Sequence, residues 1–165
     1  KKYNDITYVF HSTKAHKDLI HSYIKNSNTL NCEVISDDKL KGHLLKKSIF
    51  AIAKSGTVSL EICNAKIPSI IVYKMNLINF LIVKMLVKIK YANIINIAAK
   101  EEIIPELLQS KCNSKNIYNE VSKFLNTPSL VEEQVRKTQT ILNQFKTSKS
   151  PTEQTSEALN KIILK

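Results

Sequence analysis

Tryptophan is absent from this sequence, glycine occurs twice and arginine once, at Arg136. Each shortage excludes something. Nucleic-acid readers use arginine for bidentate contacts to guanine and phosphate, and stack aromatic rings on bases. A chain whose other 24 strong bases are all lysine is not built for that task, and no nucleic-acid partner is expected. Cys32, Cys63 and Cys112 are odd in number, far apart and without a Cys-x-x-Cys pair. That usage fits a reducing compartment and not a disulfide framework. His11, His16, His21 and His43 show no metal-ligand spacing, so no metal site is expected. The longest charge-free run of the apolar region, Met75 to Val83, is far shorter than the roughly 20 residues of a membrane span. No signal peptide is expected either.

What is present is lysine, isoleucine and asparagine on a chain of 165 residues with a net charge of +11. That length suits one domain, able to bury about two-thirds of its unfolded surface. The charge is uneven: residues 51–100 hold seven lysines and a single acid, Glu61. A basic region of this kind attracts phosphate, as a nucleotide or as anionic lipid.

Hydrophobic periodicity orders the chain. "ITYVF" (6–10) reads as a short buried strand and "HKDLIHSYIKN" (16–26) as a helix, followed by strand "CEVIS" (32–36) and a helix over 37–47 with an acidic first turn. "IFAIA" (49–53) has no polar face, as in a strand covered on both sides. A helix from Ser55 to about Asn64, a strand "SIIVY" (69–73), a helix over 76–89 and a strand near 91–97 follow. Alternation of this kind predicts an α/β fold, a parallel sheet with helices on both faces. Beyond residue 100 the pattern predicts helices only. Two carry capping boxes, Ser129 with Glu132 and Ser150 with Glu153, the second with Pro151 in its first turn.

Parallel sheets bind ligands beyond the carboxyl ends of their strands, where helices begin. Ser55-Gly56-Thr57 lies at such a point, and a glycine there, in so glycine-poor a chain, implies close approach to backbone. Free N–H groups at a helix start attract anions. Thr57 and Glu61, four apart, share a helix face, so a pyrophosphate at the tip and a ribose one turn along would suit a nucleoside diphosphate. The residues alone equally allow Ser55 as an ordinary N-cap and Glu61 as a solvated side chain.

The run from residue 49 to 109 resembles the C-terminal half of bacterial lipid-A-disaccharide synthase. Matching positions are Ser55, Gly56, Thr57 and Glu61 in a Ser-Gly-Thr-x-x-x-Glu helix, and Pro68, Tyr73 and Lys74 at a strand exit. Lys88, Asn96, Ala99, Pro105, Glu106 and Gln109 continue the match. The resemblance implies the Rossmann-like C-terminal domain of a GT-B glycosyltransferase, acting without catalytic metal or cofactor. Its substrate would be UDP-diacylglucosamine, its acceptor a diacylglucosamine phosphate, and its place the cytoplasmic face of the inner membrane, bound peripherally. Ser55, Gly56 and Thr57 would face the pyrophosphate, Glu61 the ribose, and Asn96 the nucleotide side of the cleft, with Tyr73 and Lys74 nearby. The expected division is residues 1–126, a nucleotide-sugar-binding domain incomplete at its N-terminus, and 127–165, helices that pack on a missing N-terminal acceptor domain. No catalytic residue is then expected in this chain, which would be inactive alone, and the bare apolar face of its last helix would favour self-association. One departure is local: where the family reads Ala-Gly-[Arg/Lys], this chain has Ala99-Lys100-Glu101.

Two other readings stand beside this one: a remnant that holds a uridine nucleotide without chemistry, and another envelope GT-B enzyme such as the peptidoglycan N-acetylglucosamine transferase. The Asn96 and Pro105-Glu106 segments favour the lipid A family over the latter. In the predicted helix over 76–90, Phe80, Val83 and Val87 form an apolar strip flanked by Lys84. Such a strip suits an anionic bilayer surface or an acyl chain, or contact with a neighbouring domain.

Overall fold

A computed structural model describes residues 5–26, 31–76, 90–146 and 150–163. The chain divides into two compact units, Lys1–Ser48 and Ile49–Lys165.

The first unit is β1 (Tyr8–His11), α1 (Lys14–Asn26), β2 (Cys32–Ile35) and α2 (Asp38–Lys47). The strands pair in parallel, Tyr8 opposite Cys32 through His11 opposite Ile35, with α1 as the crossover and packed on β2. Asp37 starts α2: its carboxylate accepts from the Lys39 N–H at 2.8 Å. Lys46 and Lys47 in the last turn complement the helix dipole. One expectation fails here. β1 was read as buried, yet all four of its residues are exposed. Two strands leave each ladder edge open, and α1 itself buries no residue.

The second unit holds β3 (Ala51–Ala53), α3 (Thr57–Asn64), β4 (Ser69–Tyr73), α4 (Ile94–Ala99), β5 (Glu106–Leu108) and a single 3-10 turn at Gln109–Lys111. Helices α5 (Ser114–Asn126), α6 (Pro128–Phe145) and α7 (Pro151–Ile163) complete it. The three strands are parallel in the order β3-β4-β5, with Ile52 opposite Ile70 and Val72 opposite Leu107. Ile70 and Ile71 are successive, so their side chains point to opposite faces, and both are fully buried. The centre of β4 is therefore covered on both sides, the α/β arrangement that the alternation predicts. β3 lies at the edge of this ladder, and Ile52 is 51% exposed, against the expectation of a strand covered throughout.

Two elements depart from the sequence reading. The stretch near 91–97 is not a strand: α4 begins after Asn93, whose side chain accepts from the Ile95 N–H at 2.9 Å. Its β-branched isoleucines favour a strand locally, but the cap and the complete burial of Ile95 prevail. The region after residue 100 is not helices only, because β5 lies at 106–108; three residues are too few to display an alternation. Of the two capping boxes, Ser150 and Glu153 close reciprocally, Ser150 N–H to the carboxylate at 2.7 Å and Glu153 N–H to the hydroxyl at 3.2 Å. The other does not form. α6 starts with Pro128 in its first turn, where a fixed φ suits the helix, and no side chain caps it.

The lack of glycine is written into the backbone. Asn31, Lys66, Lys100 and Gln109 all adopt positive φ, between 51° and 60°. Lys66 ends α3 in a Schellman motif: its N–H reaches Cys63 O at 2.9 Å, and Ile67 N–H reaches Ile62 O at 3.2 Å. Ile62 and Ile67, both buried, form the apolar contact that goes with it. Burial also pushes the Cys63 thiol up to about 11.

The boundary expected at 126/127 runs between α5 and α6, which pack on each other; α6 also packs on α3 and α4. Its buried Gln134 accepts from Ser69 N–H at 2.7 Å and donates to Ser69 O and Ile103 O at 3.1 and 3.2 Å. α7 is exposed from Thr152 to Ile163, with Ile162 and Ile163 uncovered.

Candidate functional site

The loop from β3 to α3 is Lys54-Ser55-Gly56. Gly56 has φ +151° and ψ −166°, a region that side-chain-bearing residues scarcely enter. A Cβ built there would meet nothing within 4 Å. The backbone path, not crowding, demands the glycine. No side chain caps α3, and Gly56, Thr57 and Val58 are exposed. The N–H groups that a helix start leaves unpaired thus lie at an open surface.

Beneath that surface is a largely buried polar cluster. The Glu106 carboxylate is buried and accepts from Ala92 N–H at 2.7 Å, Asn93 N–H at 2.9 Å and the Asn96 side-chain amide at 2.8 Å. Asn93 in turn donates through Nδ2 to Ser59 Oγ at 2.9 Å, and Ser59 Oγ donates to Gly56 O at 2.7 Å. Ser55 Oγ donates to Ala92 O at 2.7 Å. The glycine loop is therefore tied back to β5 through the turn before α4.

Several residues singled out in the sequence can now be placed. Ser55, Gly56, Thr57 and Glu61 do come together on one loop and helix, with Glu61 exposed one turn into α3. Ser55 does not cap the helix; its hydroxyl points to Ala92. Asn96 must be corrected. It lies within α4 and is fully buried. Its Oδ1 accepts from Ile103 and Ile104 N–H, both at 2.9 Å, while Nδ2 donates to Ile104 O and Glu106. That exhausts the amide's capacity, so Asn96 braces the site and does not line it. Tyr73, half-buried at the end of β4, carries the Lys54 ammonium 4.6 Å from its ring centroid, which joins the exits of β3 and β4. Lys74 is exposed beside it. Phe80, Val83, Lys84 and Val87 lie outside the described residues.

The sequence reading missed Lys54, Ser59 and Asn93 as parts of this site. Asn93 had a signal, since an asparagine before an apolar run marks a helix start. Ser59 had a fainter one: a lone hydroxyl among Val58, Leu60, Ile62 and Cys63.

The Ala99-Lys100-Glu101 departure also has a physical account. Lys100 follows α4 at φ +56°, a left-handed position that glycine adopts without steric cost. Glu101 turns to Lys137 on α6, and the hydrogen bonds that the Lys137 ammonium donates to the Glu101 and Glu133 carboxylates hold it above its ordinary pKa. Lys100→Gly is expected to raise stability by about 0.5–1 kcal/mol through relief of that conformation. A higher urea midpoint with unchanged slope would register it.

Among the described residues no group of three or more His, Cys, Asp or Glu side chains could hold a metal ion, and no helix is long and apolar enough to cross a membrane. A family model described as lipid-A-disaccharide synthetase matches residues 1–162. The chain belongs to that family. It is 36% identical over 154 residues to the lipid-A-disaccharide synthase of Rickettsia prowazekii (strain Madrid E), covering 92% of this chain and 40% of that protein. For the Rickettsia felis synthase the identity is 35% over 168 residues, 100% of this chain and 42% of that one. The Rickettsia canadensis synthase is 38% identical over 133 residues, 79% and 34% of the two chains. The chain thus spans about two-fifths of the length of these lipid-A-disaccharide synthetase relatives.

Proposed function

We propose that this chain binds the UDP part of UDP-diacylglucosamine, the donor in the glycosyl transfer that forms the lipid A disaccharide. The observation that carries the reading is the uncapped start of α3 behind Gly56, open to solvent at the carboxyl end of β3. Unpaired N–H groups there would meet the pyrophosphate. As the bond from sugar to phosphate breaks, negative charge grows on UDP, and fixed donors at a helix start stabilise that charge with no metal. Glu61, one turn deeper, accepts hydrogen bonds from the ribose hydroxyls. Lys54 and Lys74 add positive charge at the neighbouring strand exits. Family membership supports the donor, because the relatives are named for the disaccharide they make.

Acyl chains on such a donor require contact with a bilayer. We assign that contact to the Phe80, Val83 and Val87 strip with Lys84, on a chain held peripherally at the cytoplasmic face of the inner membrane.

Calorimetric titration with UDP tests this reading. The chain should bind UDP, and Glu61→Ala should weaken it about tenfold, the effect of losing hydrogen bonds to a charged acceptor. The same variant should bind 2′,3′-dideoxy-UDP as the parent does. Absence of UDP binding by the parent chain would overturn the proposal.

A further inference from the structure

The Gly56 carbonyl is held twice by one residue: Ser59 N–H donates to it at 3.1 Å and Ser59 Oγ at 2.7 Å. In a trans peptide the C=O and the following N–H point in opposite directions. Fixing Gly56 O therefore fixes the direction of the Thr57 N–H, the first donor of α3. A serine hydroxyl has one proton to give. The Asn93 amide donates to Ser59 Oγ, which directs that proton onto Gly56 O. The Asn93 amide is in turn oriented, because its Oδ1 is taken by Ile95 N–H and its backbone N–H by Glu106. Ser59 and Asn93 are both fully buried.

A cap normally satisfies a helix start by accepting from its N–H groups. Ser59 does the reverse: it donates to a carbonyl, and α3 has no side-chain cap. We infer that Ser59 and Asn93 are positioning residues for the diphosphate, through which the buried Glu106 carboxylate sets the Gly56–Thr57 peptide in the orientation that a phosphate oxygen meets. This inference rests on the nucleotide reading above. Orientation settled before the ligand arrives removes an ordering cost from binding.

The test is Ser59→Ala in the full chain, titrated with UDP and with uridine and melted in parallel. UDP affinity should fall about three- to tenfold, with uridine affinity unchanged, since uridine has no phosphate to meet the peptide. An unchanged UDP affinity beside a lowered melting temperature would make the role structural only and overturn the inference, while the nucleotide reading stands. A parent chain that binds no UDP would overturn both. A measurement on the parent alone guards against a variant that does not fold. UDP should shift the NMR signals of the Asn93 side-chain amide and the Ala92 N–H along with that of Gly56, and Asn93 and Ala92 signals that stay put while Gly56 moves would overturn the inference.

Discussion

Glu106→Ala is expected to lower the stability of the second unit by about 3–5 kcal/mol. The carboxylate is the shared acceptor for Ala92 N–H, Asn93 N–H and the Asn96 amide. Its removal strands the buried Asn93 N–H and Asn96 amide and the part-buried Ala92 N–H, at about 1–3 kcal/mol for each donor that water cannot reach. A typical domain is stable by only about 5–15 kcal/mol, so the variant should lose a large share of its margin. Glu106→Gln should fall between the two, because one oxygen remains to accept while the new NH₂ faces other donors. Urea denaturation followed by circular dichroism measures both. A loss below about 1 kcal/mol for the alanine variant would mean that the surrounding backbone finds other partners, and the cluster would not organise the loop.

Gly56→Val is the second large effect, and its size separates into two parts. No atom stands within 4 Å of the added Cβ, so the Cβ itself meets no clash. The backbone cost is about 1–3 kcal/mol for a branched residue forced to that φ. If the loop instead relaxes to an ordinary conformation, stability recovers but the Thr57 N–H turns away, and UDP affinity should drop at least about tenfold. Melting and calorimetry together distinguish strain from relaxation. The other glycine supplies the control: Gly42 lies inside α2, with nothing near its own Cβ site. Gly42→Ala should stabilise by about 0.5–1 kcal/mol and leave binding alone. Equal binding by both variants would remove Gly56 from the site.

The contrast between these glycines also shows what the sequence disclosed and what it concealed. Gly56 was legible because a strand pattern ends just before it and an apolar helix begins just after. The strand–helix alternation up to β4 was legible for the same reason, as periodicity is local. Ser150 and Glu153 were legible as a pair three residues apart. The hidden features are those decided at a distance. Glu106 is buried by partners 10 to 14 residues away, and nothing in Pro105-Glu106-Leu107 announces a carboxylate without solvent. Asn96 matched a family position, yet its neighbours in space turned it inward. Isoleucines in 94–97 favoured a strand by their own chemistry, and only the Asn93 cap with the burial of Ile95 made them a helix. β1 misled in the opposite sense. Its composition is that of a core strand, but among the described residues all four of its positions are exposed in a two-stranded ladder.

Gln134 bears on how the central strand finds its place. Its amide meets Ser69 on both the N–H and the C=O, as a neighbouring strand would. Sliding β4 by two residues would bring Ile71 to that amide and take its N–H away from Pro105 O, which it now meets at 2.9 Å. Sliding it by one would exchange the two faces. A side chain on a distant helix thus acts as a key fitted to the observed alignment, in which Ser69 and Ile71 each have their own partner.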